Sequence, residues 1–335
     1  MNELVTLIII LHNRHENLDR LLIYYNSFSS PVIIADSSAE VHSFKDSSVS
    51  YKYLYTPGVS FTKKIEMALA EVKTPYIVMC ADDDFIIPEG ILQSVDFLEK
   101  NKDYTVAQGI CINYKKSIKN IGNVEFGRMY VNHAVDISSD DPFMRLETLF
   151  NSYRSILYAV HRTDTLRLAF KNAGAIIKNL YLNEYLTAIV PMLCGKSREL
   201  PMLYQVREYS EVSDDKTTDN LDIIFIDKKY AAELNGFIQL AVNNVSTLIN
   251  INKESLRKKI YQVIEKFSSD PVVLNKQNVS FKKKIGLMVK NIPLLGAWLI
   301  EKNRRIEKET EMKNIIKTEE DARRFLEIKQ FLQSH

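Results

Sequence analysis

Three adjacent carboxylates, Asp82, Asp83 and Asp84, are the residues of this chain whose chemistry is easiest to interpret. They come directly after residues 75–81, an apolar run with the length of a buried strand. Like charges repel and partly buried carboxylates lose hydration, so a chain that places them at a strand end usually holds a cation there. The alternative is a solvated acidic turn before the helix that begins at Pro88, since Asp is favoured near helix starts.

Polar groups also follow the other predicted strands in the first part of the chain. These strands are residues 4–11, 31–35 and 51–55, and the polar groups after them are residues 12–15, 36–38 and 56–58. Strand and helix alternate here, which predicts a parallel sheet with right-handed crossovers. Ligands bind beyond the carboxyl ends of such strands, so we expect His12, Arg14 and Asp36 to meet the three carboxylates in one crevice.

Amphipathic helices are predicted from apolar residues at helical spacing, over residues 16–28, 60–72, 88–100, 141–150 and 180–194. In the second of these, Ser60 is the predicted N-cap and Lys63 and Lys64 stand in the first turn. Cations are unfavourable at the positive end of a helix dipole. The two lysines are therefore either solvated or close to an anion.

Three further strands are predicted in the next part of the chain, over residues 104–110, 156–160 and 199–206. The second of these runs into His161 and Arg162, and the third runs into Arg207 and Glu208. A single His beside an apolar strand is more often a structural residue than a ligand, and both interpretations of His161 stay open. An Arg at a strand end is suited to a phosphate because its guanidinium forms two parallel hydrogen bonds.

Composition limits the classes of function. With 335 residues, 46% hydrophobic residues and a net charge of +2, the chain fits one α/β domain with a smaller appendage and no nucleic-acid partner. Cys80, Cys111 and Cys194 lie far apart in apolar surroundings, which indicates reduced cysteines in a cytoplasmic protein. Residues 4–11 predict a first strand rather than a signal peptide, and no segment offers the roughly 18 apolar residues of a membrane span.

Residues 210–220 are polar and predict a domain boundary, after which the pattern is helical. Basic residues flank a short apolar run that contains Trp298, and they are Lys282, Lys283, Lys284, Lys290, Lys302, Arg304 and Arg305. This pattern predicts either a peripheral contact with an anionic membrane or a helical hairpin that covers the catalytic domain. Further on, Phe325, Ile328 and Leu332 share one helix face, which predicts self-association into a homo-oligomer.

Three stretches carry a resemblance to a known family. They are LIIILHNRHENLDRLL at the first strand and helix, VIIADSS at the second strand and VKTPYIVMCADDDFIIPEGI around the three carboxylates. In their order and spacing they resemble the GT-A glycosyltransferases of the family 2 type, over residues 4–210. The resemblance implies an α/β GT-A fold with a Rossmann-like, mostly parallel sheet flanked by helices. Residues 1–210 would form the nucleotide-sugar-binding and catalytic domain, and residues 211–335 a helical C-terminal region.

The resemblance assigns roles to the acidic residues of the crevice. Asp36 would contact the nucleoside, and Asp82 and Asp83 would lie near the ribose and diphosphate of the donor. Asp84, together with Asp82, would bind Mn²⁺ or Mg²⁺ as the DxD element. A hard divalent cation prefers carboxylate and phosphate oxygens, and it neutralises charge on a departing nucleoside diphosphate.

Basic residues complete the donor site that the resemblance implies, namely His12, Arg14, Lys63, Arg162 and Arg207. One departure from the family pattern lies in the first loop, where members commonly have a proline and a threonine or serine. Leu11 and His12 stand in those places here, which affects the recognition of the base.

Glu184, near the start of helix 180–194, matches the acidic residue that inverting members carry on the acceptor side. Such a residue acts as general base, because the acceptor hydroxyl must lose its proton as it attacks the anomeric carbon. The alternative is a Glu that is favoured near a helix N-terminus by the dipole.

The expected function is metal-dependent transfer of a sugar from a nucleotide sugar, with a UDP-sugar favoured, to a surface glycan of the capsule or O-antigen type. The acceptor would be a glycan or a lipid-linked glycan at the inner face of the cytoplasmic membrane. Two alternatives stay open: a transferase on the same fold that uses another phosphate-activated donor, and a non-catalytic nucleotide-sugar-binding scaffold. A nucleotidyltransferase is disfavoured because no Gly-rich loop follows the first strand.

Overall fold

A ten-stranded mixed sheet forms the centre of the computed structural model, which describes residues 4–44, 50–116, 124–129, 133–209, 221–246, 248–249, 251–269, 315–316 and 318–335. Its strands are β1 (Val5–Leu11), β2 (Val32–Asp36), β3 (Tyr51–Tyr55), β4 (Tyr76–Ala81), β5 (Phe85–Ile86), β6 (Tyr104–Lys116), β7 (Val124–Arg128), β8 (Asp136–Ile137), β9 (Val160–Arg162) and β10 (Lys196–Glu208). The principal order across the sheet is β3-β2-β1-β4-β9-β6-β10-β5.

The first four strands of that order are parallel. β1 lies between β2 and β4, with Leu11 opposite Asp36 and Ile10 opposite Ala81. The chain therefore leaves β1 toward one neighbour and later returns to its other side, and a crevice opens at the carboxyl ends of strands arranged in this way. All seven residues of β1 are buried, as expected for a central parallel strand.

Helices cover both faces of the sheet. They are α1 (His15–Tyr24), α2 (Phe61–Glu71), α3 (Pro88–Lys100), α4 (Pro142–Asn151), α5 (Thr163–Phe170), α6 (Leu180–Cys194), α7 (Leu221–Ile226), α8 (Ala231–Val245), α9 (Lys253–Ser269) and α10 (Glu319–Ser334). Because side chains alternate along a strand, Ile8 and Ile10 of β1 join one core with α2, α4, α5 and α6. Leu7 and Ile9 join the other core, with α1 and α3. The predicted class, an α/β protein with helices on its sheet and a helical C-terminal part, is confirmed.

The second half of the sheet departs from the predicted pattern of parallel strands. β9 is antiparallel to both β4 and β6, whereas β10 is parallel to β6. The predicted strand over residues 156–160 is also displaced, since the observed strand is Val160–Arg162 and residues 157–158 form a turn. Short apolar runs do not report strand direction, which depends on the neighbours.

The helices after residue 220 pack directly on the rest of the chain. Phe237 and Ile238 of α8 and Ile260 and Ile264 of α9 belong to the same buried cluster as α4, α5 and α6. On the other face of the sheet, Phe331 of α10 contacts Phe85 and Tyr24.

The apolar face of α10 is therefore covered by the chain itself. Ile328 and Leu332 are buried, Phe325 packs edge-on against Phe126, and Asp321 Oδ1 accepts a hydrogen bond from the Leu203 amide. This is the face from which the sequence predicts self-association. The basic and Trp298-containing segment, residues 279–307, lies outside the described residues, and within those residues no helix is long and apolar enough to cross a membrane.

His161 lies at the centre of the sheet and serves as a structural residue. Its side chain is fully buried in β9, where it pairs with Ile77 on one side and Val106 on the other. Nε2 lies 2.7 Å from the Ile156 carbonyl oxygen, which places the proton on Nε2 because a carbonyl accepts. Burial lowers the pKa of His161 to about 4, because the charged imidazolium would lose its hydration.

We predict that His161 makes folding stability depend on pH. Above the unfolded-state pKa the residue is neutral in both states, and below it only the unfolded chain takes up the proton until the pH reaches the folded-state pKa. Lowering the pH from 7.5 to 5 should therefore cost the wild type about 2 kcal/mol more than a His161→Gln variant. Urea denaturation of both proteins across this range measures the difference, and parallel stability curves would contradict the assignment.

Candidate functional site: a cleft at the carboxyl ends of β1 and β4

A cleft of about 450 Å³ opens where the sheet order places β1 beside β4. Its walls come from the loops after β1, β2 and β4, the start of α2, the loop after α4, the start of α6 and the end of β10. Its polar lining residues are His12, Arg14, Ser37, Ser60, Lys64, Asp82, Asp83, Ser155, Tyr158, Glu184 and Arg207. The structure thus brings together six of the residues that the sequence predicts for the site.

Arg14 links the loops after β1 and β4. Its Nη2 lies 2.9 Å from Asp82 Oδ1 and its Nη1 lies 2.8 Å from Asp83 Oδ2. Asn13 forms the turn that places Arg14 beside these carboxylates. Its φ of 56° lies in the left-handed region, which Asn tolerates better than most residues. The Asn13 amide donates to Ser38 Oγ, so the loop after β2 supports this turn.

Asp82 is a buried carboxylate that the protein leaves incompletely satisfied. The Arg14 guanidinium and the His12 backbone amide both act on this carboxylate, but neither oxygen receives a well-aligned hydrogen bond from the described residues. Burial raises the pKa of Asp82 to about 7, and the Arg14 guanidinium opposes part of this rise. A buried carboxylate with spare lone pairs at the wall of a cleft is chemically suited to a divalent cation.

Asp84 lies beneath the cleft and does not line it. Its Oδ2 accepts from Gln205 Nε2 at 2.9 Å and its Oδ1 accepts from the Glu208 amide at 3.1 Å. Arg207 Nε lies 3.7 Å from Oδ2, and burial raises the pKa of the carboxyl. The sequence predicts Asp84 as a direct metal ligand, whereas in the structure its two oxygens hold the end of β10 in place. Across the described ranges, no three acidic, His or Cys side chains converge as a preformed metal site.

Lys64, rather than Lys63, faces the cleft. Its side chain is 1% exposed, and Nζ donates to the Leu11 carbonyl at 2.6 Å and to Ser37 Oγ at 2.9 Å. Lys63 points outward and forms an ion pair with Glu66. Lys63, which the sequence predicts to contact the donor, therefore lies away from the cleft. Lys64 instead holds the ends of β1 and β2 together. The signal was present in the sequence, because Lys64 falls three residues after Phe61 and four before Ala68, on the apolar stripe.

Asp36 sits at the end of β2 behind the cleft wall. It accepts hydrogen bonds from the Ser38 amide at 2.7 Å and from the Tyr53 hydroxyl at 2.6 Å. Burial acts to raise the pKa of Asp36, but these hydrogen bonds and nearby His15 outweigh it and lower the pKa. His12 is on the cleft side, where Nδ1 lies 3.0 Å from Ser37 Oγ.

Glu184 also lines the cleft, one turn into α6. The Asn179 side chain caps this helix by accepting from the amides of Tyr181 and Leu182. Glu184 Oε1 accepts a hydrogen bond from the Tyr153 hydroxyl at 2.8 Å. The first half of the chain and α6 therefore both contribute charged groups to the cleft. Sequence reasoning missed Tyr153 and Tyr158, since both lie in the turn that follows α4.

Arg162 is not part of the cleft. Because β9 is antiparallel to β4, Arg162 pairs with Tyr76 at the amino end of β4. This position is at the opposite end of the strand from the cleft. Its guanidinium donates to the carbonyls of Tyr104 and Leu98 and to the Tyr76 hydroxyl. The prediction that Arg162 holds phosphate assumed a parallel strand, and the structure instead gives this arginine a structural position.

The chain was compared with known proteins. No protein-family model and no curated protein matches it. Solved structures similar to this chain include S. aureus TarS, at 12% identity and a TM-score of 0.47, where the match covers 84% of this chain and 46% of TarS. They also include TarS residues 1–349 in complex with UDP-GlcNAc, at 13% identity and a TM-score of 0.48, covering 84% of this chain and 77% of that one. This chain thus spans about half of the longer TarS chain.

We predict that Lys64 and Lys63 differ in their effect on stability. Lys64→Met should lower the free energy of unfolding by about 1–3 kcal/mol, because the Leu11 carbonyl and Ser37 hydroxyl lose a buried charged donor. Lys63→Met removes only a surface ion pair and should change it by less than about 0.5 kcal/mol. Urea denaturation of the two variants provides a matched comparison, and equal losses would contradict the inward placement of Lys64.

Proposed function

We propose that this protein is a glycosyltransferase that moves a sugar from a nucleotide-sugar donor to a hydroxyl of a glycan acceptor. The observation that carries the proposal is the convergence in one cleft of Asp82 and Asp83, the cations Arg14, Lys64 and Arg207, and Glu184 of α6. A nucleoside diphosphate needs cationic partners and a metal site, and an attacking hydroxyl needs a base. The cleft offers residues for each requirement.

The donor occupies the side of the cleft formed by the loops after β1, β2 and β4. Arg14 and Arg207 can bind diphosphate oxygens through their guanidinium forks, and Lys64 adds positive charge at the end of β1. His12 and Ser37 line the cleft at the ends of β1 and β2, which supports binding of the nucleoside there, and a UDP-sugar is the donor that the sequence resemblance predicts.

Asp82 and Asp83 are the residues we propose to hold Mn²⁺ or Mg²⁺ in the cleft, because both line it and Asp82 has unsatisfied oxygens. When bound, the cation would neutralise the charge of the departing nucleoside diphosphate. Asp84, the ligand that the sequence favours, would have to leave Gln205 and the Glu208 amide before it could bind a metal.

Glu184 acts as the general base in this proposal. The acceptor hydroxyl transfers its proton to the Glu184 carboxylate while its oxygen bonds to the anomeric carbon. The bond from that carbon to the diphosphate oxygen breaks on the opposite face, so the anomeric configuration is inverted. The presence of Glu184 in the same cleft as Arg14 and Asp82, but on a separate element, supports this division of roles.

The acceptor is proposed to be a surface glycan of the capsule or O-antigen type, or its lipid-linked precursor. Contact with the inner face of the cytoplasmic membrane would then come from the basic segment at residues 279–307, outside the described residues. Binding to anionic vesicles that is reversed by salt would support this part of the proposal.

The metal assignment predicts distinct effects for neighbouring carboxylates. Asp82→Asn should abolish the increase in UDP affinity produced by Mn²⁺ and leave thermal stability unchanged or higher, since the charge it removes is buried and poorly satisfied. Asp84→Asn should instead lower thermal stability, because it weakens hydrogen bonds to Gln205 and Glu208.

Isothermal titration calorimetry with UDP, with and without Mn²⁺, together with thermal unfolding, measures both effects. Asp96→Asn on the surface of α3 is the matched control, since Asp96 pairs only with Lys100 among the ion pairs of the described residues. If Asp84→Asn abolished metal-dependent binding without loss of stability, Asp84 would be the ligand and Asp82 would not.

The base assignment predicts that Glu184→Gln lowers turnover by about 10²-fold or more, because a positioned general base is lost. Donor affinity should stay at the wild-type value, since Glu184 lies on the acceptor side. The exposed Glu254→Gln of α9 is the control and should have wild-type turnover. Product release from a nucleotide sugar and an NMR assignment of the product anomer are the measurements. Unchanged turnover, or a product with retained configuration, would move the role elsewhere.

A further inference from the structure

Tyr153 contacts the proposed base from behind the cleft. Its hydroxyl donates to Glu184 Oε1 at 2.8 Å, and Tyr153 itself does not line the cleft. A carboxylate side chain has several accessible rotamers and a freely turning terminal torsion. A hydrogen bond to one oxygen restricts this torsion, so the carboxylate keeps one orientation toward the cleft that it lines.

The ring of Tyr153 is held in a cluster of four aromatic side chains. Its centroid lies 5.4 Å from those of Phe150 of α4, Tyr185 of α6 and Phe267 of α9. Phe150, Tyr185 and Phe267 are buried, and such edge-on and tilted ring pairs each contribute packing beyond burial of area. Phe267 comes from beyond the polar segment at residues 210–220, so the C-terminal helices supply part of this cluster.

The same helices also hold the backbone that carries Glu184. Glu233 of α8 accepts hydrogen bonds through Oε1 from the amides of Lys178 and Asn179, at 2.7 and 2.8 Å. Asn179 in turn caps α6, on which Glu184 lies. Residues beyond 220 are therefore connected with the proposed base in two independent ways. Phe267 contacts Tyr153, which donates to the Glu184 carboxylate, and Glu233 binds the start of the helix that carries Glu184.

We propose that Tyr153 is a positioning residue for Glu184, and that α8 and α9 fix the acceptor wall of the cleft through Glu233 and Phe267. This inference rests on the proposed function, in which Glu184 takes the acceptor proton. Catalysis needs a base within hydrogen-bond reach of the hydroxyl at a defined orientation, and small displacements lower turnover more than binding. The C-terminal helices are then part of the catalytic unit rather than an appended module.

The test is Tyr153→Phe, which removes the hydroxyl and keeps the ring. Turnover should fall about 10-fold, the loss expected for one hydrogen bond to a charged group, while KM for the donor and thermal stability stay close to wild type. Tyr104→Phe is the matched control, because Tyr104 also donates to a carboxylate, Asp136, but far from the cleft. It should have wild-type turnover.

A double-mutant cycle separates positioning from a general structural effect. If Tyr153 acts through Glu184, then Tyr153→Phe should have no further effect in the Glu184→Gln background. Phe267→Leu, which keeps an apolar side chain in α9 but removes the ring that contacts Tyr153, should lower turnover several-fold in wild type and have no further effect in Tyr153→Phe.

Two results would overturn the inference alone. They are wild-type turnover in Tyr153→Phe, and equal losses from Tyr153→Phe with and without Glu184. A wild-type protein that transfers no sugar from any nucleotide sugar would instead overturn the proposed function and this inference with it. An active wild type with an unaffected Glu184→Gln variant would remove the base assignment, and Tyr153 would then have no group to position.

Discussion

The parallel pairing of β1 with both β2 and β4 is the constraint on which the cleft depends. Leu11 pairs with Asp36 and Ile10 pairs with Ala81, so the three strands end at nearly the same level of the sheet. The loops that follow them therefore start side by side. A slip of one residue would exchange the faces of β1 and remove Ile8 and Ile10 from one core and Leu7 and Ile9 from the other. Burial on both faces thus fixes the register, and the register fixes the site.

Charge compensation explains how so many polar groups are accommodated at this edge. Burial of a charge without a partner is costly, and most charges here are matched: Arg14 by two carboxylates, Lys64 by the Leu11 carbonyl and Ser37, Asp84 by Gln205 and an amide. Asp82 is matched least well, since Arg14 is its ion-pair partner but its oxygens are buried without well-aligned hydrogen-bond donors among the described residues. Poor satisfaction at a cleft wall is what a ligand can relieve, whereas well-satisfied groups such as Arg162 serve the fold.

The acceptor wall depends on contacts between parts of the chain that are far apart in sequence. Tyr153 follows α4, Glu184 lies on α6 and Phe267 lies on α9, and the aromatic cluster joins all three elements. On the opposite face of the sheet, α10 covers Phe85 and Phe126 and contributes Asp321 to β10. The helical region is therefore integrated into both cores of the first 210 residues, which a polar boundary in the sequence does not reveal.

Local pattern was enough to predict much of the fold from the sequence. Three elements have the predicted bounds, because apolar periodicity and flanking Pro and Gly are local signals. They are β3 (Tyr51–Tyr55), α3 (Pro88–Lys100) and α6 (Leu180–Cys194). The cleft at the ends of β1 and β4, with His12, Arg14 and Asp82 around it, followed from the same alternation of strands and helices, whereas Glu184 was implied by the family resemblance.

Tertiary structure decided what local pattern does not encode. The direction of β9 depends on its pairing with β4 and β6, and this direction places Arg162 at the amino end of β4, away from the cleft. The turn of the chain after β4 directs Asp82 to the cleft and Asp84 beneath it. The sequence by itself determined which residues carry charge and which elements end near them. Packing between distant elements determined which of those charges face the cleft, because orientation depends on contacts that no local window contains.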